Sequence, residues 1–124
     1  MKKIIAFLAI TLAISHAYSQ KFELFSPDTR IHVAINTDKV LTYEVLLDGK
    51  QLIKPSLIDM MLSNGAALSK DHQVKSTNTK AVSTSIIAQI PVNRKNIPDV
   101  YNELTIQFKN NFAVIFRAYN DGVA

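Results

Sequence analysis

Apolar side chains recur at every second position through much of the chain, and this period of two restricts the fold more than any other feature. Ile31, Val33 and Ile35 are separated by polar or small residues, so an extended segment turns one face inward and the other toward water. The pattern returns at 41–47, and Asp48-Gly49 then gives a strong hairpin signal. These features predict an antiparallel meander that extends to Ile53.

Prolines interrupt the middle of the chain. Since proline cannot donate to a strand ladder, Lys54-Pro55-Ser56 is expected to end the pairing. The segment from Asp71 to Gln89 is rich in valine, serine and threonine, and it predicts two strands divided near residues 78–80, with a surface loop as the alternative. From Ile90 to Val100, two prolines flank a polar stretch, so an exposed irregular excursion is expected there.

Two further strands are expected toward the carboxyl end. Leu104, Ile106 and Phe108 alternate with polar residues and predict a half-buried strand. Asn110-Asn111 then favours a tight two-residue hairpin, because asparagine tolerates positive φ. The partner segment, Phe112 to Tyr119, is apolar on both faces, which predicts a central strand covered on both sides.

Length and composition complete the assignment of fold class. The chain has 124 residues, enough for one domain but fewer than the roughly 250 that a catalytic barrel needs. It contains no cysteine, which excludes disulfides, thiolate metal sites and cysteine nucleophiles. No helical period is evident after residue 20, and short strands follow one another with turn signals between them. We therefore predict an all-β chain that folds as an antiparallel β-sandwich.

The first nineteen residues have the composition of a secretory signal peptide. Lys2 and Lys3 precede an apolar run from Ile4 to Ile14, and Ala17-Tyr18-Ser19 offers small residues for cleavage after position 19. The run has 11 residues, against the roughly 20 of a membrane helix, with a retained anchor as the alternative. We expect the protein to be secreted to the periplasm. The mature domain is expected at residues 20–124, with no membrane contact after cleavage. Cleavage removes two of fourteen basic residues and leaves twelve against ten acidic ones.

Residue types used in catalysis and metal binding are present but scattered. His32 and His72 are far apart in sequence, without the spacing of metal ligands. Acidic residues occur mostly at turns, and neither a phosphate-binding glycine loop nor a serine elbow is present. The arginines are too dispersed for a nucleic-acid surface. The sequence thus predicts no catalytic residue, metal or cofactor in this chain, and no nucleic-acid partner.

Arg117 and Tyr101 are the two side chains most open to a role in binding. Arg117 lies on a segment that is apolar on both faces, and a buried charge needs a partner. We expect it either to form an ion pair between two strands or to line a cleft or interface. Tyr101 lies beside Pro98 and Asp99 and, in a chain without tryptophan, is the best-placed aromatic residue for a surface contact.

The last eight residues, 117–124, read Arg-Ala-Tyr-Asn-Asp-Gly-Val-Ala, and this segment resembles a motif in the amino-terminal domain of glycoside hydrolase family 97. The resemblance extends over nearly the whole chain after residue 20. Shorter matches follow in the same order: Ser26-Pro27-Asp28, Leu41-Thr42-Tyr43, Asp48-Gly49-Lys50, Pro55-Ser56, Asn102-Glu103-Leu104-Thr105 and Phe108-Lys109-Asn110. The terminal motif is the more specific of these, and the short turn motifs are weak alone.

The resemblance implies part of a mutarotase-like β-super-sandwich in an exported, polysaccharide-degrading α-glucosidase or α-galactosidase. In such an enzyme a catalytic barrel is the packing partner; it binds the glycoside and supplies the catalytic groups and most ligands of a calcium ion. No catalytic or calcium position of the family matches a residue of this chain. The terminal motif does transfer, and with Tyr101 it makes Arg117, Tyr119, Asn120 and Asp121 the candidate carbohydrate or interface residues.

In the family the super-sandwich continues past Ala124, so we expect a truncated, carbohydrate-binding domain without turnover of its own. One alternative is a free-standing secreted β-sandwich that binds a glycan or a protein partner through its exposed edge. The other is a non-functional remnant of an interrupted gene.

Overall fold

The computed structural model describes residues 20–90, 93 and 95–124, so the proposed signal peptide at 1–19 lies outside the described residues. The strands are β1 (Lys21–Phe25), β2 (Ile31–Asn36), β3 (Thr42–Leu47), β4 (Lys50–Leu57), β5 (Val74–Ile87), β6 (Asn96–Phe108) and β7 (Ala113–Ala118). They form two antiparallel sheets, ordered β1-β2-β3-β4 and β5-β6-β7. In this part of the chain the helical structure is one short 3-10 turn at Leu68–Lys70, and no helix could cross a membrane. The predicted all-β class and antiparallel sandwich are confirmed.

The first sheet contains the predicted meander and one strand more. Along β2, every second residue from Ile31 is buried, as the alternation requires. Asp48 and Gly49 both have positive φ, 49° and 77°, which is the requirement of the two-residue turn that joins β3 to β4. β1 was not predicted, although its short sequence alternates in the same way. It pairs with β2, with Leu24 opposite Val33.

The expectation that pairing ends at Lys54-Pro55-Ser56 is wrong. β4 continues through Pro55 to Leu57, and Ser56 lies opposite Tyr43. Two features of β4 make room for Pro55: the strand is at the edge of the sheet, and its register against β3 shifts between Tyr43 and Leu46. A missing N–H group is tolerated where no second strand needs it.

The second sheet corrects two further predictions. β5 is one continuous strand of 14 residues rather than two strands divided near residues 78–80. β6 begins at Asn96, so the excursion predicted for Ile90 to Val100 is replaced over its last five residues by a strand in which Pro98 lies opposite Ser85. Since β7 pairs only with residues 102–107 of β6, no strand in the described part of the chain pairs with that side of β6 at Pro98, which leaves room for a residue without an N–H group.

The hairpin between β6 and β7 is close to the prediction, but β7 has a different place in the sheet. Phe108 N donates to Phe112 O at 2.9 Å, and the three residues between them end in Asn111 at φ 66°. The turn therefore has three residues with a left-handed last one, not two. β7 is an edge strand, because β6 takes the central place, and Ile115 on its outer face is 50% exposed. The prediction of a central strand covered on both sides is wrong.

The core lies between the two sheets. Tyr43 of the first sheet and Phe116 of the second approach to 6.0 Å between ring centroids. At the border of the core, Asn102 Nδ2 of β6 donates to Phe25 O of β1 at 2.8 Å. The buried apolar side chains of the core are Leu24, Ile31, Val33, Ile35, Leu41, Val45, Leu68, Leu104, Ile106, Phe108, Phe116 and Ala118.

Candidate functional site

Three charged side chains form a row across the outer face of the second sheet. The register places Lys80 of β5 and Arg117 of β7 on either side of Glu103 of β6. Lys80 Nζ lies 2.9 Å from Glu103 Oε1, and Arg117 Nε donates to Glu103 Oε2 at 2.7 Å. The carboxylate is thus held between two cations, and the ion pair expected for Arg117 between two strands is present.

Glu103 is buried even though it points away from the core. Its side chain is 6% exposed, whereas those of Lys80 and Arg117 are 52% and 43% exposed. Long cationic side chains can cover a neighbour with their aliphatic parts while their charged ends stay in water. Hydrogen bonds from Lys80 and then from Arg117 lower the pKa of Glu103, and they outweigh the effect of burial. A carboxylate held in this way stays ionised at neutral pH and does not donate a proton.

An aromatic pair packs beside this row. The ring centroids of Tyr101 and Tyr119 are 5.0 Å apart, and the Arg117 guanidinium carbon lies 5.0 Å from the centroid of Tyr101. The hydrogen bond to Glu103 raises the pKa of Arg117, so its charge is permanent. Tyr101 is only 7% exposed and lies within β6, so the exposed position expected for it is wrong, and its role in binding stays a prediction. Of the two rings, Tyr119 is the more accessible.

The candidate residues Asn120 and Asp121 lie in a turn beyond this cluster. Tyr119 N donates to Gly122 O at 2.8 Å, and Ala124 N donates to Arg117 O at 2.9 Å, so the chain folds back along the end of β7. Asn120 Oδ1 accepts a hydrogen bond from Asp28 N at 3.0 Å, which ties this turn to the β1–β2 connection.

The turn also forms one wall of a groove of about 350 Å³, with the floor supplied by apolar residues of β2 to β4. Asp121 lines this groove, and so does Arg30, whose Nη2 atom lies 2.8 Å from Asp48 Oδ2. That contact lowers the pKa of Asp48 and raises that of Arg30. The five candidate residues therefore separate into a charged and aromatic cluster (Arg117, Tyr101 and Tyr119) and a turn beside an apolar groove.

The partners of Arg117 were missed at the level of sequence. Lys80 fell in the predicted break between two strands, and Glu103 was named only as part of a short match to the family. Their meeting depends on the register of three strands, which alternation alone does not give. Among the described residues no group of three His, Asp or Glu side chains is arranged to hold a metal ion.

The fold and the charged row together describe the class of protein: an antiparallel β-sandwich with a row of ion-paired side chains on the outer face of one sheet. The family model described as "Glycosyl-hydrolase 97 N-terminal" matches residues 24–124. The chain therefore belongs to the amino-terminal domain family of glycoside hydrolase family 97, as the terminal motif indicated.

Individual relatives agree with this assignment. The chain is 35% identical over 125 residues to a retaining alpha-galactosidase of Bacteroides thetaiotaomicron, and the match covers all of this chain and 19% of the relative. A family 97 enzyme of Pseudoalteromonas sp. strain K8, solved with acarbose, superimposes with a TM-score of 0.71 at 21% identity over 82% of this chain and 16% of the other.

A beta-arabinopyranosidase superimposes with a TM-score of 0.67 at 20% identity, over 84% of this chain and 17% of the other. The likeness to the two solved structures shows the shared fold. The chain spans about a fifth of the length of the relatives that it matches.

Proposed function

We propose that this chain is a non-catalytic, carbohydrate-associated domain of an exported family 97 glycosidase and that it packs against the rest of the enzyme through β4 and the segment that follows. The observation that carries this proposal is a series of exposed apolar side chains in β4 and in the segment that follows it, called here the apolar β4 surface: Leu52, Leu57, Met60, Met61 and Leu62. Leu57 is 63% exposed and Met61 is 72% exposed. Large exposed apolar patches on soluble domains mark interaction sites.

The partner that we propose for this surface is the catalytic barrel. The alpha-galactosidase relative is about five times as long as the region matched here, which leaves ample chain to cover the apolar β4 surface. β4 is also the edge of its sheet, so its outer backbone groups are open to further pairing. The substrate of the assembled enzyme would be an α-galactoside or α-glucoside: one relative is an alpha-galactosidase, and solved family members carry acarbose and panose.

The carboxyl groups support a role without turnover. A glycosidase needs an acid with a raised pKa, opposite a second carboxylate. Hydrogen bonds lower the pKa of four carboxyl groups here: Asp28 (from Ser26), Asp48 (from Arg30), Asp59 (from Ser69) and Glu103 (from Lys80 and Arg117). None of these four can serve as that acid at neutral pH. We propose that the acid, the base or nucleophile and the calcium ligands all belong to the barrel.

Export to the periplasm is part of the proposal, and its support is the composition of residues 1–19. A chain without cysteine gains nothing from an oxidising compartment, so its core alone must hold it together there.

A chimera tests the packing role. Residues 20–124 would replace the matching segment of the Bacteroides thetaiotaomicron alpha-galactosidase, and hydrolysis of nitrophenyl α-galactoside would be measured with thermal unfolding. We expect the chimera to be active and the isolated chain to be inactive with or without calcium. Met61→Asp in the chimera should lower both activity and melting temperature, because it buries a charge in the interface.

The matched control is Ile115→Asp, which places the same charge on an exposed apolar position of β7, in the other sheet. Equal behaviour of the two variants would refute packing through the apolar β4 surface. Turnover by the isolated chain would refute the non-catalytic role.

A further inference from the structure

A second groove lies on the outer face of the first sheet, away from the ion-paired row. The register of β1, β2 and β3 sets outward side chains in three cross-strand rows: Lys21–Asn36–Thr42, Glu23–Ala34–Glu44 and Phe25–His32–Leu46. Ala34 is the smallest and occupies the centre, so the surrounding side chains rise above it. The resulting groove has a volume of about 360 Å³, within the range of small-molecule sites.

The polar groups around Ala34 are already held in place. Gln51 Nε2 donates to Glu44 Oε2 at 2.8 Å, on the β4 side. On the β1 side, Glu23 Oε1 lies 3.5 Å from His32 Nε2, and the His32 ring is stacked on Phe25 with centroids 4.4 Å apart and planes 6° apart. Side chains fixed before binding lose little freedom when a ligand arrives.

His32 also carries a hydrogen-bonding atom that makes only a long contact, 3.5 Å from Glu23 Oε1. Its Nε2 atom is shielded from solvent and makes no hydrogen bond within the described part of the chain. Buried polar atoms usually have a partner. The atom belongs to a side chain that lines the groove, between the acidic row and the Phe25 ring.

The chemistry of the groove selects the kind of ligand. Two carboxylates, an imidazole, an amide and a hydroxyl are hydrogen-bonding groups suited to the hydroxyls of a sugar, while Ala34 and Leu46 offer an apolar contact for a ring face. Glu23 and Glu44 outnumber the one ammonium group that lines the groove, that of Lys21, and so disfavour an anion. The described residues contain no group of three His, Asp or Glu side chains that could hold a metal ion. We propose that this groove binds one unit of a neutral saccharide. This inference rests on the proposed carbohydrate-associated function and gives it a site.

The test is an NMR titration of the ¹⁵N-labelled 124-residue chain with panose, an α-glucoside, and raffinose, an α-galactoside. Binding should shift the amide signals of residues 32–36 and 42–46. Ala34→Leu fills the centre of the groove and should abolish these shifts. Glu44→Gln removes a charged acceptor and should weaken binding about tenfold.

The matched control is Thr105→Leu, which adds a leucine at an outward position in the middle strand of the other sheet. Both leucine variants should keep the dispersed spectrum of the parent chain, and Thr105→Leu should keep its affinity. Saccharide binding that survives Ala34→Leu would overturn the groove as the site and leave a carbohydrate function elsewhere.

Absence of binding of both sugars to the folded chain would overturn the inference without touching the packing role, which the chimera tests separately. Binding of glucosamine, but of neither neutral sugar, would overturn it in favour of an ammonium site. Shifts that disappear in Ala34→Leu and persist in Thr105→Leu would establish the groove.

Discussion

The two halves of β6 belong to one strand and pair with the same neighbour, β5, yet only one of them is buried in the core. In the packed half, Tyr101–Phe108, inward side chains such as Ile106 are fully buried. In the distal half, Asn96–Val100, Ile97 is 46% exposed, and β5 beside it is exposed as well. Both halves pair with β5 throughout, and the one register shift, between Val74 and Ser76, lies beside the packed half, so strand pairing does not explain why the distal half is exposed.

The difference comes from what lies opposite the strand. The side-chain amide of Asn102 bonds to the carbonyl of Phe25, the last residue of β1, and the residues of β6 that precede Tyr101 are exposed or half-buried. β7 also pairs only with residues 102–107. Alternation therefore predicts which residues share a face of the strand. Whether that face is buried depends on the opposite sheet, which the local sequence does not predict.

The largest effect is expected from removing the same side chain in each half. Ile106→Ala should destabilise the chain by about 2–5 kcal/mol, because it leaves a cavity between the sheets. Ile97→Ala, on the same strand, should change the free energy of unfolding by less than about 0.5 kcal/mol. Urea unfolding followed by circular dichroism measures both. Similar losses would mean that the distal half is covered in solution.

A smaller contrast is expected between two serines. Ser26 is buried; its hydroxyl donates to Asp28 Oδ1 at 2.6 Å and accepts from Ile31 N at 3.0 Å. Ser26→Ala should destabilise the chain by about 1–3 kcal/mol, because the buried amide of Ile31 loses that acceptor. Ser85→Ala, in the exposed part of β5, is the control and should be close to neutral. Equal denaturation midpoints for the two variants would contradict the contrast.

The smallest effect concerns two acidic residues on the outer face of β6, and it depends on pH. The pKa of Glu103 is lowered in the folded chain by Lys80 and Arg117, so its contribution to stability is present above the ordinary value of 4.5 and is lost as the pH falls through the lowered value. Glu103→Gln should therefore be less stable than the parent chain at pH 7, with the gap closing in acid.

Asp99→Asn, in the distal half, is the matched control for this measurement. Lys80 and Arg117 lie opposite Glu103 rather than Asp99, so the variant should not reproduce the pH-dependent gap. Melting temperatures from pH 7 down to pH 3 would show the difference. A gap for Glu103→Gln that is independent of pH would contradict the ion-paired assignment.

The fold class and the first meander were predictable because they depend on local patterns. The alternation in β2 predicts an extended strand, and the Asp48-Gly49 pair predicts a tight turn, without reference to the rest of the chain. The errors arose where the structure depends on the position of a strand in its sheet. Pro55 and Pro98 looked like interruptions, but both lie where one side of the strand has no neighbouring strand among the described residues. β7 looked central because both of its faces are apolar, whereas the sheet order places it at an edge.

The candidate site was predictable only in part, for a related reason. The rule that a charge on an apolar strand needs a partner led correctly to an ion pair for Arg117. Its partners, Glu103 and Lys80, are 14 and 37 positions away in sequence, and only the register of three strands brings them together. The groove around Ala34 was missed for the same reason, since its residues come from three strands.

The hydrogen bonds that join the two sheets bear on how the chain folds. The bond from Asn102 to Phe25 spans 77 positions, and the bond from Asp28 to Asn120 spans 92, whereas every strand pair joins neighbours in sequence. Short loops close at a lower entropic cost than long ones. We therefore expect the hairpins to form early and the docking of one sheet on the other to limit the folding rate.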